Sequence, residues 1–278
     1  MTDLRQSKNF ASYMEKIGWS ADYFKNENIT FRFYLKKIPF LRNFLKILRP
    51  DKSPMKQIDQ LAKKYRAFAV QINYSPTKTL QLNLELPLEI IYEQMTKEAR
   101  YEIRKAEEKK VKITNSSDIA LFADFWQKNA LSRGFWLPFK KEIRSLYEAF
   151  HKNKENNQEA YLLFAHCYHD LNHSIKPIAG VLIIIHEKTA SYFHAFSSPL
   201  GRKLKAPSLL IWESLKLAKE KHCRLFDFEG IYDERFPNKS WLGFTHFKKS
   251  FGGWEVEFPE TYTKFYNPLL KLLPGFTD

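Results

Sequence analysis

Glycine and cysteine are scarce in this chain. Only 9 of its 278 residues are Gly, while 44% are hydrophobic and 16% aromatic, a composition that excludes collagen-like, low-complexity and disordered classes. The two cysteines, Cys167 and Cys223, form neither a CxxC pair nor a disulfide framework, so they read as reduced thiols. Long apolar runs are missing too. The longest purely aliphatic stretch, 181–185 within IAGVLIIIH, falls far short of the ~20 residues that a membrane span requires. The opening residues MTDLRQSKNF carry no apolar segment with a small-residue cleavage site, and a cytoplasmic protein is expected. Carboxylates are in deficit: 45 Lys and Arg face 31 Asp and Glu, a formal net charge of +14. Such an excess points to a polyanionic partner without naming it.

What is present is enough apolar material for two cores. Residues 10–19 (FASYMEKIGW) place Phe10, Tyr13, Met14 and Ile17 at helical spacing, with Gly18 as the stop. A strand is expected over 29–35, then an amphipathic helix over 58–65 and a strand over 67–72, a βαβ-like unit. The strand 79–86, with Leu80, Leu82, Leu84 and Leu86 on one face, is expected to close the first half. Pro87 then opens a single long helix to Lys110, followed by helices over 118–132 and 140–151. Strands 160–168 and 178–186 flank the polar connection DLNHSIKP as an antiparallel hairpin, and 190–196 adds another strand. A helix over 208–221 and a strand over 224–228 complete the pattern. The expected domains are 1–86, with 255–278 packing back on it, and 87–254.

Familiar catalytic signatures are absent. There is no GxSxG, no HExxH and no Cys-His pair in a recognisable context. His166, Cys167, His169 and His173 do not converge on a strand whose side chains alternate, so no metal is expected.

Three segments carry a resemblance: TKEARYEIRKAEEKKVKI (96–113), APSLLIWESLKLAKEKHCRLFDFEGI (206–231) and FKKSFGG (247–253). Together with FASYMEKIGW and IPFLRNFLKILRP they resemble the Fem family of peptidoglycan-bridge transferases. The resemblance implies an α+β fold of two GNAT-like acyltransferase domains, the first abbreviated and the second without the long helical arm some members carry. It also implies transfer of an amino acid from aminoacyl-tRNA to the stem-peptide amine of a peptidoglycan precursor, UDP-linked or lipid-linked, without a cofactor. A monomer is favoured, with oligomeric state otherwise open. An acyl-coenzyme A N-acyltransferase and a non-catalytic RNA-binding or scaffold protein of the same fold are the rival readings.

By the same resemblance, Lys248 and Phe247 match the lysine and aromatic beside the reacting carbonyl, and Lys16 and Arg133 match positions that hold a nucleotide diphosphate. Asn73 stands where members often carry an acid, so no general base transfers there. A lysine ammonium suits an ester that is already activated, because oxyanion stabilisation then suffices without a protein nucleophile. Neighbouring Phe247 and Phe251 are expected to hold it; the plain alternative is a solvated lysine. Arg133 is equally readable as a charge complementing a helix C-terminus. Asp227 and Glu229, at the end of a central strand, are candidates to orient the amine or to cap a loop. The basic turn SSPLGRKLKAP, with Arg202, Lys203 and Lys205 before a helix, is a candidate site for tRNA or another anion, or a solvated turn. Trp126, Trp136 and Trp241 are candidates for base stacking. The basic, aromatic segment 36–49 and the tail PLLKLLPGF are open to peripheral contact with the inner membrane surface, or to burial with a solvated rim.

Overall fold

The computed structural model describes residues 2–132, 140–151, 158–167 and 176–267. The chain forms two compact units, Met1–Thr77 with Phe258–Asp278, and Lys78–Glu257.

In the first unit Ser7 starts α1 (Lys8–Lys16), its hydroxyl accepting a hydrogen bond from Phe10 N at 3.0 Å. Then come β1 (Ser20–Lys25), β2 (Thr30–Ile38), β3 (Arg42–Leu48), α2 (Ile58–Tyr65), β4 (Ala67–Asn73) and, from the far end of the chain, β12 (Tyr262–Phe265). They make one sheet in the order β1-β2-β3-β4-β12. The parallel pair is β3 and β4, joined through α2. The βαβ unit is therefore built on 42–48 rather than on 29–35; β2 pairs antiparallel with β3 instead. Alternation explains it: Leu45 and Ile47 are fully buried while Phe44 and Lys46 face outward, so an aromatic on the open face hides the period in the sequence. The segment 36–49 is accordingly the second half of a β-hairpin. Buried Arg49 anchors its end, donating from Nε to Tyr74 O at 3.2 Å and from Nη2 to Pro76 O, with its guanidinium 3.9 Å from the Phe258 ring centroid.

The second unit contains β5 (Lys78–Asn83), α3 (Leu88–Gln94), α4 (Lys97–Glu108), β6 (Val111–Ser116), α5 (Ile119–Leu131), α6 (Lys140–His151), β7 (Glu159–Cys167), β8 (Ala179–His186) and β9 (Thr189–Ser197). It continues with α7 (Pro199–Lys203), α8 (Ala206–Glu220), β10 (Leu225–Gly230), α9 (Leu242–Lys249) and β11 (Trp254–Glu257). The sheet order is β11-β5-β10-β9-β8-β7-β6, with β9 and β10 parallel across α8. Two expectations change here. The strand expected to close the first half is β5, and it lies inside this second sheet, pairing antiparallel with both β10 and β11, where Leu80 and Leu82 join the main core. The single helix expected from Pro87 to Lys110 is two, because Met95 is extended and Thr96 caps α4, accepting from Ala99 N at 3.2 Å. Arg100 then reaches back to the Glu93 and Met95 carbonyls, at 2.6 and 2.8 Å, and satisfies the end of α3. Among the described residues no helix is long and apolar enough to cross a membrane.

Candidate active site

The second sheet is interrupted where β10 ends. Between Asp227 and Gly230 the pairing with β5 shifts register, and Glu229 takes φ +58°, a left-handed conformation that a non-glycine residue adopts at a cost. Asp227 holds that bulge in place. Its Oδ1 accepts from Glu229 N at 2.6 Å and its Oδ2 from Gln81 Nε2 at 3.0 Å, so a buried carboxylate ties the strand end to β5. The chain leaves the bulge toward α9, whose Thr245 Oγ1 accepts from Tyr232 N at 2.7 Å.

That junction positions Lys248. Its ammonium donates to Gly230 O at 2.7 Å and lies over two rings, 5.1 Å from the Phe244 centroid and 5.9 Å from that of Tyr192. Among the described residues no carboxylate reaches ion-pair distance of it. Burial pushes its pKa down to about 8, with Glu229 and Asp227 acting in the opposite direction. Near neutral pH the group is therefore a cation that gives up its proton readily.

The aromatics holding this ammonium are Phe244 and Tyr192, and not Phe247 and Phe251 as the sequence suggests. Phe244 is one helical turn before Lys248 and shares its face, while Phe247 is rotated away and packs edge-on against Phe251, 5.3 Å between centroids, on the main core. The i, i+4 spacing of Phe244 and Lys248 was the available signal; Tyr192 and the Gly230 carbonyl had none, since they arrive from other strands. His194, two residues along β9 from Tyr192, feels the same Glu229 charge and is a residue that sequence reasoning missed. Burial lowers its pKa to about 4, with Glu229 pulling it back upward, and its ring meets Trp126 edge-on at 5.1 Å. The imidazole is thus neutral at pH 7. Glu229 is the charge common to His194 and Lys248.

The remaining candidates are dispersed. Lys16 is exposed in the last turn of α1, in the first unit. Arg133 lies outside the described residues, as do Trp136, His169, His173 and the end of the C-terminal tail. Within the basic turn, Arg202 and Lys203 are exposed, and Arg202 Nη1 donates to Ser197 O at 2.7 Å. Lys205 instead pairs with Glu102 at 2.5 Å, and Ser208 Oγ donates to the other oxygen of the same carboxylate at 2.6 Å. Gly201 in that turn has an ordinary packing reason, because a Cβ there would sit 2.3 Å from Ile178 O. Trp241 meets Phe244 at a tilt, 5.1 Å between centroids, just before α9. His166 bonds Thr114 across β6 and β7 at 3.1 Å.

A second lysine lies on the sheet itself. Lys78, 5% exposed at the start of β5, donates to Glu234 at 2.9 and 3.0 Å and pairs with Glu255 at 2.9 Å and Glu257 at 3.1 Å. Its carbonyl accepts from Ile231 N at 3.0 Å. This cluster pins the segment after β10, whose far end leads into α9.

Comparison with known proteins places this architecture. Residues 140–273 match the FemAB family. No curated protein matches the chain at a significant level. Among solved structures, that of FemX superposes with a TM-score of 0.80 at 14% identity, covering 97% of this chain and 94% of that one. The C-terminal domain of a putative lysylphosphatidylglycerol synthetase from Agrobacterium fabrum gives 0.54 at 12% identity, covering 96% and 90%. A tandem GNAT protein from the clavulanic acid biosynthesis pathway gives 0.51 at 10% identity, covering 90% and 84%. The two mixed sheets are thus a tandem GNAT-like acyltransferase fold, within which residues 140–273 carry the match to the FemAB family.

Proposed function

We propose that the protein is an aminoacyltransferase that takes an amino acid from aminoacyl-tRNA and joins it to the stem-peptide amine of a peptidoglycan precursor, UDP-linked or lipid-linked. The observation that carries this reading is the Lys248 ammonium, fixed by the Gly230 carbonyl and two aromatic rings at a strand end, in a chain of FemAB family sequence.

In the reaction the lone pair of the stem amine attacks the ester carbonyl. A C–N bond forms, the tetrahedral oxyanion collapses, and the bond to the ribose oxygen breaks. Lys248 donates a hydrogen bond to the developing oxyanion. With a pKa near 8 it also suits relaying the proton lost by the amine to the departing ribose oxygen. One such donor is worth roughly 3 kcal/mol of barrier. Glu229 keeps the ammonium charged at working pH, and Asp227 serves by fixing the Glu229 backbone. Phe247 contributes packing beneath α9. Lys16 and Arg133 are assigned to the diphosphate of the acceptor and Arg202 and Lys203 to donor phosphates, while Lys205, paired with Glu102, braces the turn that carries them. A lipid-linked acceptor lies at the inner membrane surface, so peripheral contact with that surface belongs to the same reading.

The acyl-coenzyme A alternative is separated by ligand protection: charged tRNA raises the unfolding temperature and coenzyme A does not. Mass spectrometry of the precursor after incubation with the protein and a charged tRNA pool tests the function itself. A gain of one amino-acid residue supports it, and an unchanged precursor with every tRNA species refutes it.

A further inference from the structure

We infer that the β2–β3 hairpin is a docking element that seats the first unit on an anionic lipid bilayer. At its tip Phe40 is 105% exposed, more open than any other large apolar side chain described, and it touches no core. Both Phe40 (φ +65°) and Arg42 (φ +75°) are left-handed, so a tight turn holds the ring out at the end of two paired strands. A lone exposed ring is ordinary on a protein surface, but this one stands at the end of a paired hairpin with cations beneath it, an arrangement suited to an apolar environment outside the molecule.

The collar beneath the tip says which environment. From Asn28 to Pro50 the chain has no Asp or Glu, but carries Arg32, Lys36, Lys37, Arg42, Lys46 and Arg49. Lys36, Lys37, Arg42 and Lys46 have no carboxylate partner among the described residues. Lys36 and Lys46 extend from neighbouring strands over the same indole, each Nζ 5.3 Å from the Trp19 ring centroid. Burial and the Lys36 charge both lower the Lys46 pKa, so two like charges share the Trp19 ring with no carboxylate between them. An aromatic point above cations that have no carboxylate partner matches a surface that is negative at the headgroups and apolar just beneath them. Double-stranded RNA satisfies the cations but keeps its bases stacked within the helix, which leaves Phe40 in water.

Membrane contact gains its purpose from a lipid-linked acceptor, yet vesicle binding is measured without any transfer reaction, so the two ideas fail separately. The full chain is sedimented with vesicles of phosphatidylcholine alone or with added phosphatidylglycerol. Binding is expected only to the anionic vesicles, weakening as salt rises. Phe40→Asn, which keeps a residue tolerant of the left-handed turn, lowers affinity about tenfold. The triple change K36Q/K37Q/R42Q lowers it about a hundredfold, from about fivefold per cation. Thermal unfolding of both variants confirms that the unit still folds. In Phe40→Trp, quenching of the new indole by brominated lipid shows that the tip enters the bilayer. Three results overturn the proposal: no binding of the unaltered chain at low salt, binding that survives both variants, or loss of RNA affinity in the variants while vesicle affinity stays.

Discussion

Two lysines of the second unit, one on its sheet and one on the helix beyond a strand end, show how neighbours decide what a charge does. Lys78 at the start of β5 is surrounded by Glu234, Glu255 and Glu257; Lys248 beyond the end of β10 meets a carbonyl and two rings. Burial pushes both pKa values down. At Lys78 the glutamates more than offset it and hold the ammonium above the ordinary lysine range, whereas at Lys248 the more indirect pull of Glu229 and Asp227 leaves it near 8. The first is a permanent cation suited to bracing, and the second is a proton donor suited to chemistry. They are linked through the segment after β10, which Lys78 pins and which leads into the helix bearing Lys248.

The strongest way to break this contrast is to exchange the roles. Lys248→Ala is expected to lower aminoacyl transfer by about a hundredfold or more while leaving the folded protein intact. Lys78→Met takes the shared cation from Glu234, Glu255 and Glu257, of which Glu255 keeps Lys249 and Glu257 keeps Arg235 at 3.7 Å. Their partial exposure screens part of the penalty, so a loss of about 2 kcal/mol in chemical denaturation is expected, with transfer reduced less than by Lys248→Ala. Equal effects of the two changes on transfer would erase the distinction.

Stability against pH sharpens it further, because the two groups have opposite signs. The folded pKa of Lys248 is depressed, so the unfolded chain holds more protons between about 8 and the ordinary lysine value, and stability rises with pH across that window. Lys78 has a raised folded pKa; its contribution is complete below the ordinary lysine value and is lost as pH climbs through the folded one. Lys248→Met removes the rise, and Lys78→Met removes the alkaline loss. The smallest effect is expected from Glu229→Gln. It withdraws the charge that supports the Lys248 proton, so the alkaline limb of the pH–rate profile moves below the unaltered protein's limb near pH 8. A limb that stays in place would separate Glu229 from the lysine.

How much of this was readable in advance depends on how local the signal was. Ile58, Leu61, Ala62 and Tyr65 recur at helical spacing, and α2 spans that segment from Ile58 to Tyr65. The buried hairpin of β7 and β8 follows equally directly from its β-rich runs. By contrast β3 was obscured by its outward Phe44, and β12 is a short strand whose partner β4 lies almost two hundred residues away, a pairing that no local pattern encodes. The break at Met95 depends on Thr96 and Arg100 closing helix ends, a capping arrangement hidden within continuous helical periodicity. At the site, Lys248 stood out by family resemblance alone. Its partners Tyr192, Phe244 and Gly230 come together only when β9, β10 and α9 meet, and Lys78 with its glutamates likewise joins strands distant in sequence.

The most direct measurement is the single-turnover rate of labelled aminoacyl transfer from tRNA to the precursor at pH 7, for the unaltered protein and Lys248→Met, with precursor binding measured on the same samples. The account predicts a rate lower by about a hundredfold or more with precursor affinity unchanged. Equal rates, or a loss accounted for wholly by weaker precursor binding, would contradict it.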